Sequence, residues 1–536
     1  MTISFLLCMV VTQAQYSWSN LPTVKQTTFK KDSFNIVKYG AVSNGVVLNT
    51  TSIAKAIDAC NANGGGVVVV PFGIWLTGPL QLKSNVNLYV QKGAMLLFTG
   101  DKTQYDLVEG SYEGRSSARN QSPIWAKGAE NIAITGGGTI DGNGDVWRAL
   151  NKDQVREGYW KNKIKSGGVV SADGKKWYPS EQFKVASEAK RSMLLEPGKK
   201  LSDFADMKDV LRPNLLVLTQ CKRILLEGVT FQNSGAWNLH PLMSEDIIIR
   251  NVTVKNPEYS HNGDGLDIES CKNFIVEDCV FDVGDDAICI KSGKDEEGRK
   301  RGIPTQNGII RNNLVYKGHG GVVVGSEMSG GTNNIFIENC IFIGTDKGLR
   351  FKSTRGRGGL VEKIYARNIQ MRDIEQEAIF FDMHYAVKFI TDGDRKIDTT
   401  FGEGTPVFRD MQFENIVCEG ANKGVFIRGL TEAPIQNIRI KNSNLITRIG
   451  AEISLADNIL LENVQFTPLV VDPVVDIKDA SNIQLTKIGF PAKLKTALRI
   501  NGSTTKNVML TGSTYKKGSP EIVIDPTLKP GVLQLK

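Results

Sequence analysis

Apolar and polar residues alternate along most of this chain, in short runs that return at a regular interval. The recurring phrase is a polar residue, an apolar–x–apolar alternation, often an Asn, and more alternation. It reads KRILLEGVTF, EDIIIRNVTV, KNFIVEDCVF, NGIIRNNLVY, NNIFIENCIF, EKIYARNIQM, RDMQFENIVC, QNIRIKNSNL, DNILLENVQF, SNIQLTKIGF and KNVMLTGSTY, with an earlier copy in ENIAITGGGTI. A period of two buries one face of a strand and exposes the other. The copies return mostly every ~21–29 residues, the range of stacked supersecondary units. Units this short, punctuated by Asn and Gly turns, predict an all-β fold, a right-handed parallel β-helix. Leucine-rich repeats share the period, but they need a Leu-rich consensus and a helical segment, which this pattern lacks. The repeated Asn residues are expected to stack as ladders at the turns.

Three stretches depart from the repeat. NTTSIAKAIDACNANGG is an amphipathic helix, with Ile53, Ala56 and Ile57 on one face and Gly64 as a stop. It is expected to cap the N-terminal end of the coil stack, where open strand edges would template aggregation. Residues 151–212 hold fourteen basic and nine acidic residues and form an inserted polar loop region or small subdomain. The short apolar run at residues 3–11, ISFLLCMVV, is followed by TQAQ and lacks a basic leader segment. It reads as a secretion signal cut near Ala14 or Gln15, so that residues 1–15 are removed from a secreted or periplasmic protein. No other stretch reads as a membrane span. Residues 34–536 are then one β-helix domain, expected to be monomeric.

The chain has 536 residues, is 41% hydrophobic and carries a net charge of +8. That is enough apolar content for a large core, and the charge suits an anionic partner. No nucleic-acid-binding motif is present. Eight cysteines are scattered, and Cys279, Cys289 and Cys340 fall inside apolar strand patterns. They read as small buried hydrophobes rather than a disulfide framework or a metal site.

A second phrase, apolar–x–apolar–x–Ser, appears in GLDIES, AICIKS, GVVVGS and GLRFKS. Stacked as one parallel sheet, its rungs stand about 4.8 Å apart. Leu266, Ile288, Val322 and Leu349 then point inward together. Asp264, Asp286 and Gly320 share the column just before the phrase, and Asp285 and His319 share the column before that. Arg350 and Lys352 face outward, with Lys291 in the column of Lys352. Read singly, Asp264 in NGDG, the GDD acids and His319 between glycines are turn residues. Their common register makes them a site. Crowded carboxylates cannot all ionise, so at least one pKa should rise, which suits general acid–base work such as glycoside hydrolysis. The two cations suit an acidic sugar, because Arg350 can grip a carboxylate with two hydrogen bonds. A calcium site is the chemical alternative. His240 is either a sugar contact or a satisfied core histidine. Asp267 is an outward residue that could touch sugar, and Arg355 and Arg357 are expected to be solvated.

At these residues the chain resembles glycoside hydrolase family 28, the polygalacturonases. That family's motifs are Asn-Thr-Asp, Asp-Asp, Gly-His-Gly and Arg-Ile-Lys. Here they read NGD (262–264), GDD (284–286), GHG (318–320) and RFK (350–352), in the same order. The resemblance runs from about residue 34 to 515 and includes FNIVKYGAVSNG, GGGTIDGNG and FFDMHY. It implies an inverting hydrolase of α-1,4-galacturonosidic linkages in an acidic polysaccharide, without a cofactor or metal. Asp285 would be the general acid, Asp264 and Asp286 would hold and deprotonate the water, and His319 would support the acid. Arg350, Lys352, Tyr385 and Asn262 would bind substrate. Gly263 departs from the family's Thr and Phe351 from its Ile. The loops near Asp295–Asn307 and RGRGG, with the 151–212 insertion, resemble bacterial members that close one end of the cleft, which implies a bacterial source and exo-action. A pectate-lyase-like, calcium-dependent elimination on a similar helix, or a non-catalytic carbohydrate-binding fibre, are the alternatives.

Overall fold

Each alternating phrase becomes a strand whose apolar members point into one shared interior. The structure, a computed structural model, describes residues 16–386, 399–469, 473–490, 495–513 and 521–536. The leader read at residues 1–15 lies outside the described residues. Among the described residues, thirty-six strands join one sheet system between Ser33–Asn35 and Leu533–Leu535, and their registers are parallel. The fold is the right-handed parallel β-helix.

A typical coil carries three strands. Leu266–Glu269, Lys272–Glu277 and Val280–Asp282 stack on Asp286–Lys291, Thr305–Arg311 and Leu314–Tyr316 of the next coil. The turn residues Asp278, Asn312 and Asn339 take φ of 56°, 57° and 55°. Short polar side chains tolerate that left-handed conformation best after glycine. Their side chains bond from coil to coil. Asn312 donates to Asp278 at 3.1 Å, Asn339 to Asn312 at 3.3 Å and Asn368 to Asn339 at 3.1 Å. The repeated Asn is therefore a ladder.

One apolar core runs from Ile36 to Val532. Phe351 is buried in it, stacked on Phe381 at a ring separation of 4.4 Å, so the aromatic replacement repacks the interior. Helix α1 (Thr50–Ala62) buries Ile53, Ala56, Ile57 and Cys60 against the first coils. The seven described cysteines are all buried and unbridged.

The 151–212 stretch is folded. It contributes α2 (Glu157–Lys165), α3 (Glu181–Ala189), a 3-10 segment (Leu201–Val210) and most of a small antiparallel sheet. Leu150, Trp160 and Trp177 form one apolar cluster there. A second joins Phe204, Met207 and Leu211 to Ala118 on an antiparallel hairpin, Leu107–Tyr112 and Arg115–Asn120. The repeat does not foreshadow that hairpin. The loop after Lys291 forms the short helix α4 (Asp295–Arg301).

Candidate active site

Parallel stacking turns sequence distance into a few ångströms. Leu266 pairs with Ile288, Ile288 with Val322 and Val322 with Leu349, the register read from the Ser-ending phrases. Gly265 N donates to Asp286 O at 2.9 Å and His319 N donates to Asp285 O at 3.0 Å. Carboxylate oxygens of Asp264, Asp285 and Asp286 consequently lie within 4.8 Å of one another. Two glycines permit this crowding. At Gly263 a Cβ would stand 2.5 Å from Ser260 Cβ, so the tight turn excludes the family's Thr. Gly318, at φ 100°, would place a Cβ 2.6 Å from Asp285 O.

The three carboxylates have unequal surroundings. Asp286 accepts from Arg350 Nη1 at 3.0 Å and from Lys352 Nζ at 2.8 Å. Burial opposes its charge, but Lys352 and Arg350 outweigh burial and hold its carboxyl well below the usual range. Asp285 has a side chain 17% exposed, against 4% for Asp264 and 1% for Asp286, so Asp285 is the one that reaches the cleft. Its Oδ1 pairs with His319 Nδ1 at 2.9 Å. Burial again works against the charge. The His319 bond prevails and lowers the Asp285 pKa, and the same bond raises that of the imidazole. Asp264 is buried, and its Oδ1 has no hydrogen-bond partner among the described residues. Burial, reinforced by Asp285 and Asp267, pushes its carboxyl well above the usual range. The raised pKa expected of the set therefore falls on Asp264 in the free protein, while the His319–Asp285 bond favours an ionised carboxylate beside a charged imidazole.

The cations form the opposite wall. Lys352 Nζ stands 4.9 Å and the Arg350 guanidinium 5.7 Å from the centroid of the Tyr385 ring. Arg350 Nε is buried with no hydrogen-bond partner among the described residues. The Asn262 side chain accepts from Arg212 Nη2 at 2.7 Å. Arg212 also donates to His261 O at 2.6 Å, so the last residue of the insertion tethers the turn that carries Asp264.

Three acidic oxygens this close could take a cation, as the calcium reading requires. The charges oppose it. Arg350 and Lys352 already occupy both oxygens of Asp286, and Lys291 Nζ lies 3.9 Å from Asp264.

Other outward residues differ from the sequence reading. Arg355 is not solvated: it pairs with Glu432, at 2.8 Å through Nη2. Arg357 pairs with Asp295 and donates to Ser326 O at 3.0 Å. Both found carboxylates far along the chain, which short-range pattern cannot reveal. His240 is buried and satisfied, 2.9 Å from Glu269 and 3.2 Å from Asn214. Asp267 faces outward yet is wholly buried, with neither oxygen hydrogen-bonded among the described residues, so sugar does not reach it in this state. Its neighbour is Lys291, at 3.5 Å, which also meets Glu327 at 3.0 Å. Glu327 has no counterpart in the motif set, although it directly follows the Ser of GVVVGS.

Comparison with known proteins identifies the family and the fold. The sequence model of Glycosyl hydrolases family 28 matches residues 199–447. A probable polygalacturonase from Vitis vinifera is 30% identical over 76% of this chain and 73% of its own. An exo-poly-alpha-D-galacturonosidase from Dickeya chrysanthemi is 30% identical over 84% of this chain and 72% of its own. Among solved structures, the hyperthermoactive exopolygalacturonase from Thermotoga maritima matches with a TM-score of 0.68. It is 30% identical and covers 83% of this chain and 94% of its own. By these matches the chain belongs to glycosyl hydrolase family 28 and is a glycoside hydrolase.

Proposed function

We propose that the enzyme hydrolyses α-1,4-galacturonosidic linkages of a pectic galacturonan, releasing short products from a chain end with inversion. One observation carries the reading. A cleft-facing acid, Asp285, stands beside one whose charge two cations favour, Asp286, and those cations suit a uronate carboxylate. Arg350 and Lys352 hold the sugar carboxylate over the cluster, with Tyr385 against the ring. Asp285 takes the proton of the His319 pair as the sugar excludes water, and donates it to the leaving oxygen. Asp264, which keeps its proton, holds the water, and the water attacks the anomeric carbon and gives its proton to Asp286, whose cations are by then shared with the sugar carboxylate.

Inverting enzymes usually separate their carboxyls by about 6.5–9.5 Å. Here the nearest oxygens are within 4.8 Å. Inversion is still favoured, because Asp286 is tied at both oxygens and is a poor nucleophile, which leaves the attack to water. The short separation also aids recovery, since the captured proton can return to Asp285 inside the cluster. A polymeric substrate suits an exported protein, which the apolar leader would serve.

Incubation with polygalacturonate tests the reading. Expected are new reducing ends, no absorbance from an unsaturated product, insensitivity to chelator, a β-anomer first seen by proton NMR, and short products from the first minutes. Unsaturated product would replace hydrolysis by elimination, a ladder of lengths would mean endo-action, and no product would leave a binding protein.

A further inference from the structure

Beside the catalytic acids, charges alternate in sign along one line that runs from the loops into the site. Asp295 on α4 pairs with Arg357 of the RGRGG loop. Arg357 Nη2 lies 4.0 Å from Glu327, and Arg357 Nε donates to Ser326 O at 3.0 Å. Glu327 meets Lys291 Nζ at 3.0 Å, and the same nitrogen lies 3.5 Å from Asp267 and 3.9 Å from Asp264. The line begins at a side chain 35% exposed, and its last four members, Glu327, Lys291, Asp267 and Asp264, are buried. Glu327 is held at three points. Its Oε1 accepts from Ser326 Oγ at 2.9 Å, its Oε2 from Lys291, and its carbonyl from Ser292 N at 2.7 Å. Three acids thus compete for one ammonium, and Coulomb attraction favours the nearest, which is Glu327. The charges acting on Asp264 are those of Asp285, Asp267, Asp286, Lys291 and Arg212, and of these Lys291 and Arg212 are the cations. Glu327 in turn feels Lys291, Lys352 and Arg357. Where the Lys291 ammonium sits therefore bears directly on the charge of Asp264.

We propose that Glu327 and Arg357 are positioning residues for the hydrolysis. Glu327 draws the Lys291 ammonium away from Asp264, so that Asp264 keeps the proton with which it holds the attacking water, and Arg357, anchored on Asp295, keeps Glu327 charged and in place. The proposal rests on the hydrolytic reading of the site. It ties the loops that carry Asp295 and Arg357 to the protonation of an acid they do not touch.

Glu327→Gln keeps the length of the side chain and its hydrogen-bonding oxygen but removes the charge that draws Lys291. Kinetics on polygalacturonate are measured across about pH 4–9 for the unmodified enzyme, Glu327→Gln, Arg357→Gln and Arg357→Lys. In Glu327→Gln the ammonium turns to Asp264 and Asp267 and favours their ionised forms. Expected are a kcat about 10–100-fold lower near neutral pH, a KM within about twofold because Arg350 and Lys352 are untouched, and an alkaline limb of kcat/KM that starts about one pH unit lower. Arg357→Gln should shift the limb in the same direction by less, and Arg357→Lys, which keeps the charge, should restore the parent profile. A lost kcat with an unmoved limb is what a merely structural role gives, and it overturns the proposal. So does a limb that moves upward, or the same profile in Arg357→Gln and Arg357→Lys. The Arg357 pair decides the matter alone if Glu327→Gln does not fold. An unmodified enzyme inactive on polygalacturonate overturns the hydrolytic reading and this proposal together, whereas an active one with unmoved limbs in the variants overturns the proposal alone.

Discussion

Lys291 is the only cation within 4 Å of both Asp264 and Asp267 among the described residues. Its Nζ is closest to Glu327, at 3.0 Å, and lies 4.6 Å from the Trp237 ring. Replacing it with Met keeps the length and removes the charge. Glu327 supplies the magnitude. Burial would raise its pKa, but Lys291 and then Lys352 bring it down from 4.5 to about 2. At about 1.4 kcal/mol per pH unit, that gap is on the order of 3 kcal/mol of folding free energy. Removing one partner of a buried pair typically costs about 3–5 kcal/mol, the same scale. The sign follows from the depressed value. This stabilisation is present above pH 4.5 and is lost as pH falls towards about 2. Without Lys291 the acids take up protons instead, so the deficit of Lys291→Met should be largest near neutral pH and shrink on acidification. Guanidinium unfolding, followed by tryptophan fluorescence at about pH 7 and about pH 4, measures it. The double variant Lys291→Met/Glu327→Gln should recover most of the loss, because no bare charge remains between those two. A neutral-pH deficit under about 1 kcal/mol, or one that grows on acidification, would refute the argument.

Asp285→Asn should lower kcat by about 10²–10⁴-fold with little change in thermal unfolding, and activity within tenfold of the parent would remove Asp285 from the acid role. Lys352→Ala removes a charge-assisted hydrogen bond of about 1.5–3 kcal/mol and should raise KM by about 10–100-fold; an unchanged KM counts against carboxylate binding there. The Asp285 bond raises the His319 pKa above the usual imidazole value of 6.5, so the pair's stabilisation is complete below that value and is lost as pH rises through the raised one. NMR titration of the imidazole should show that upward displacement, and His319→Gln should remove the matching alkaline limb from kcat/KM. A ring titrating below 6.5 would contradict the pairing.

The architecture was readable because a parallel helix repeats residue for residue. Alternation set the inward face, and the Ser-ending phrases set the columns, so Asp264, Asp285, Asp286 and His319 could be brought together before any coordinates. The same logic placed Lys291 in the column of Lys352. It was silent where no period operates. The hairpin Leu107–Tyr112 and Arg115–Asn120 pairs antiparallel outside the coils, and its apolar partners Phe204 and Met207 lie in the insertion. Arg355 finds Glu432 and Arg357 finds Asp295 across 77 and 62 residues, by loop geometry that no column records.

Register also says which way a side chain points, but not how deep it lies, and depth decides the chemistry. Asp267 and Asp285 both lie on the site's side of the sheet. Asp267 is sealed beneath Lys291 with no exposure, while Asp285 keeps 17% of its side chain open to the cleft. The same distinction governs the proton. Three adjacent aspartates imply that one pKa must rise, but the choice among them depends on the cations each one meets. Asp286 meets Arg350 and Lys352 and stays ionised, and Asp285 meets His319. Asp264 is left with Lys291, which Glu327 holds closer, and so it retains the proton. On the proposed mechanism Asp285 acts as the acid by drawing on His319, with which its carboxylate pairs at 2.9 Å, so the histidine would serve as a proton source as well as a geometric support.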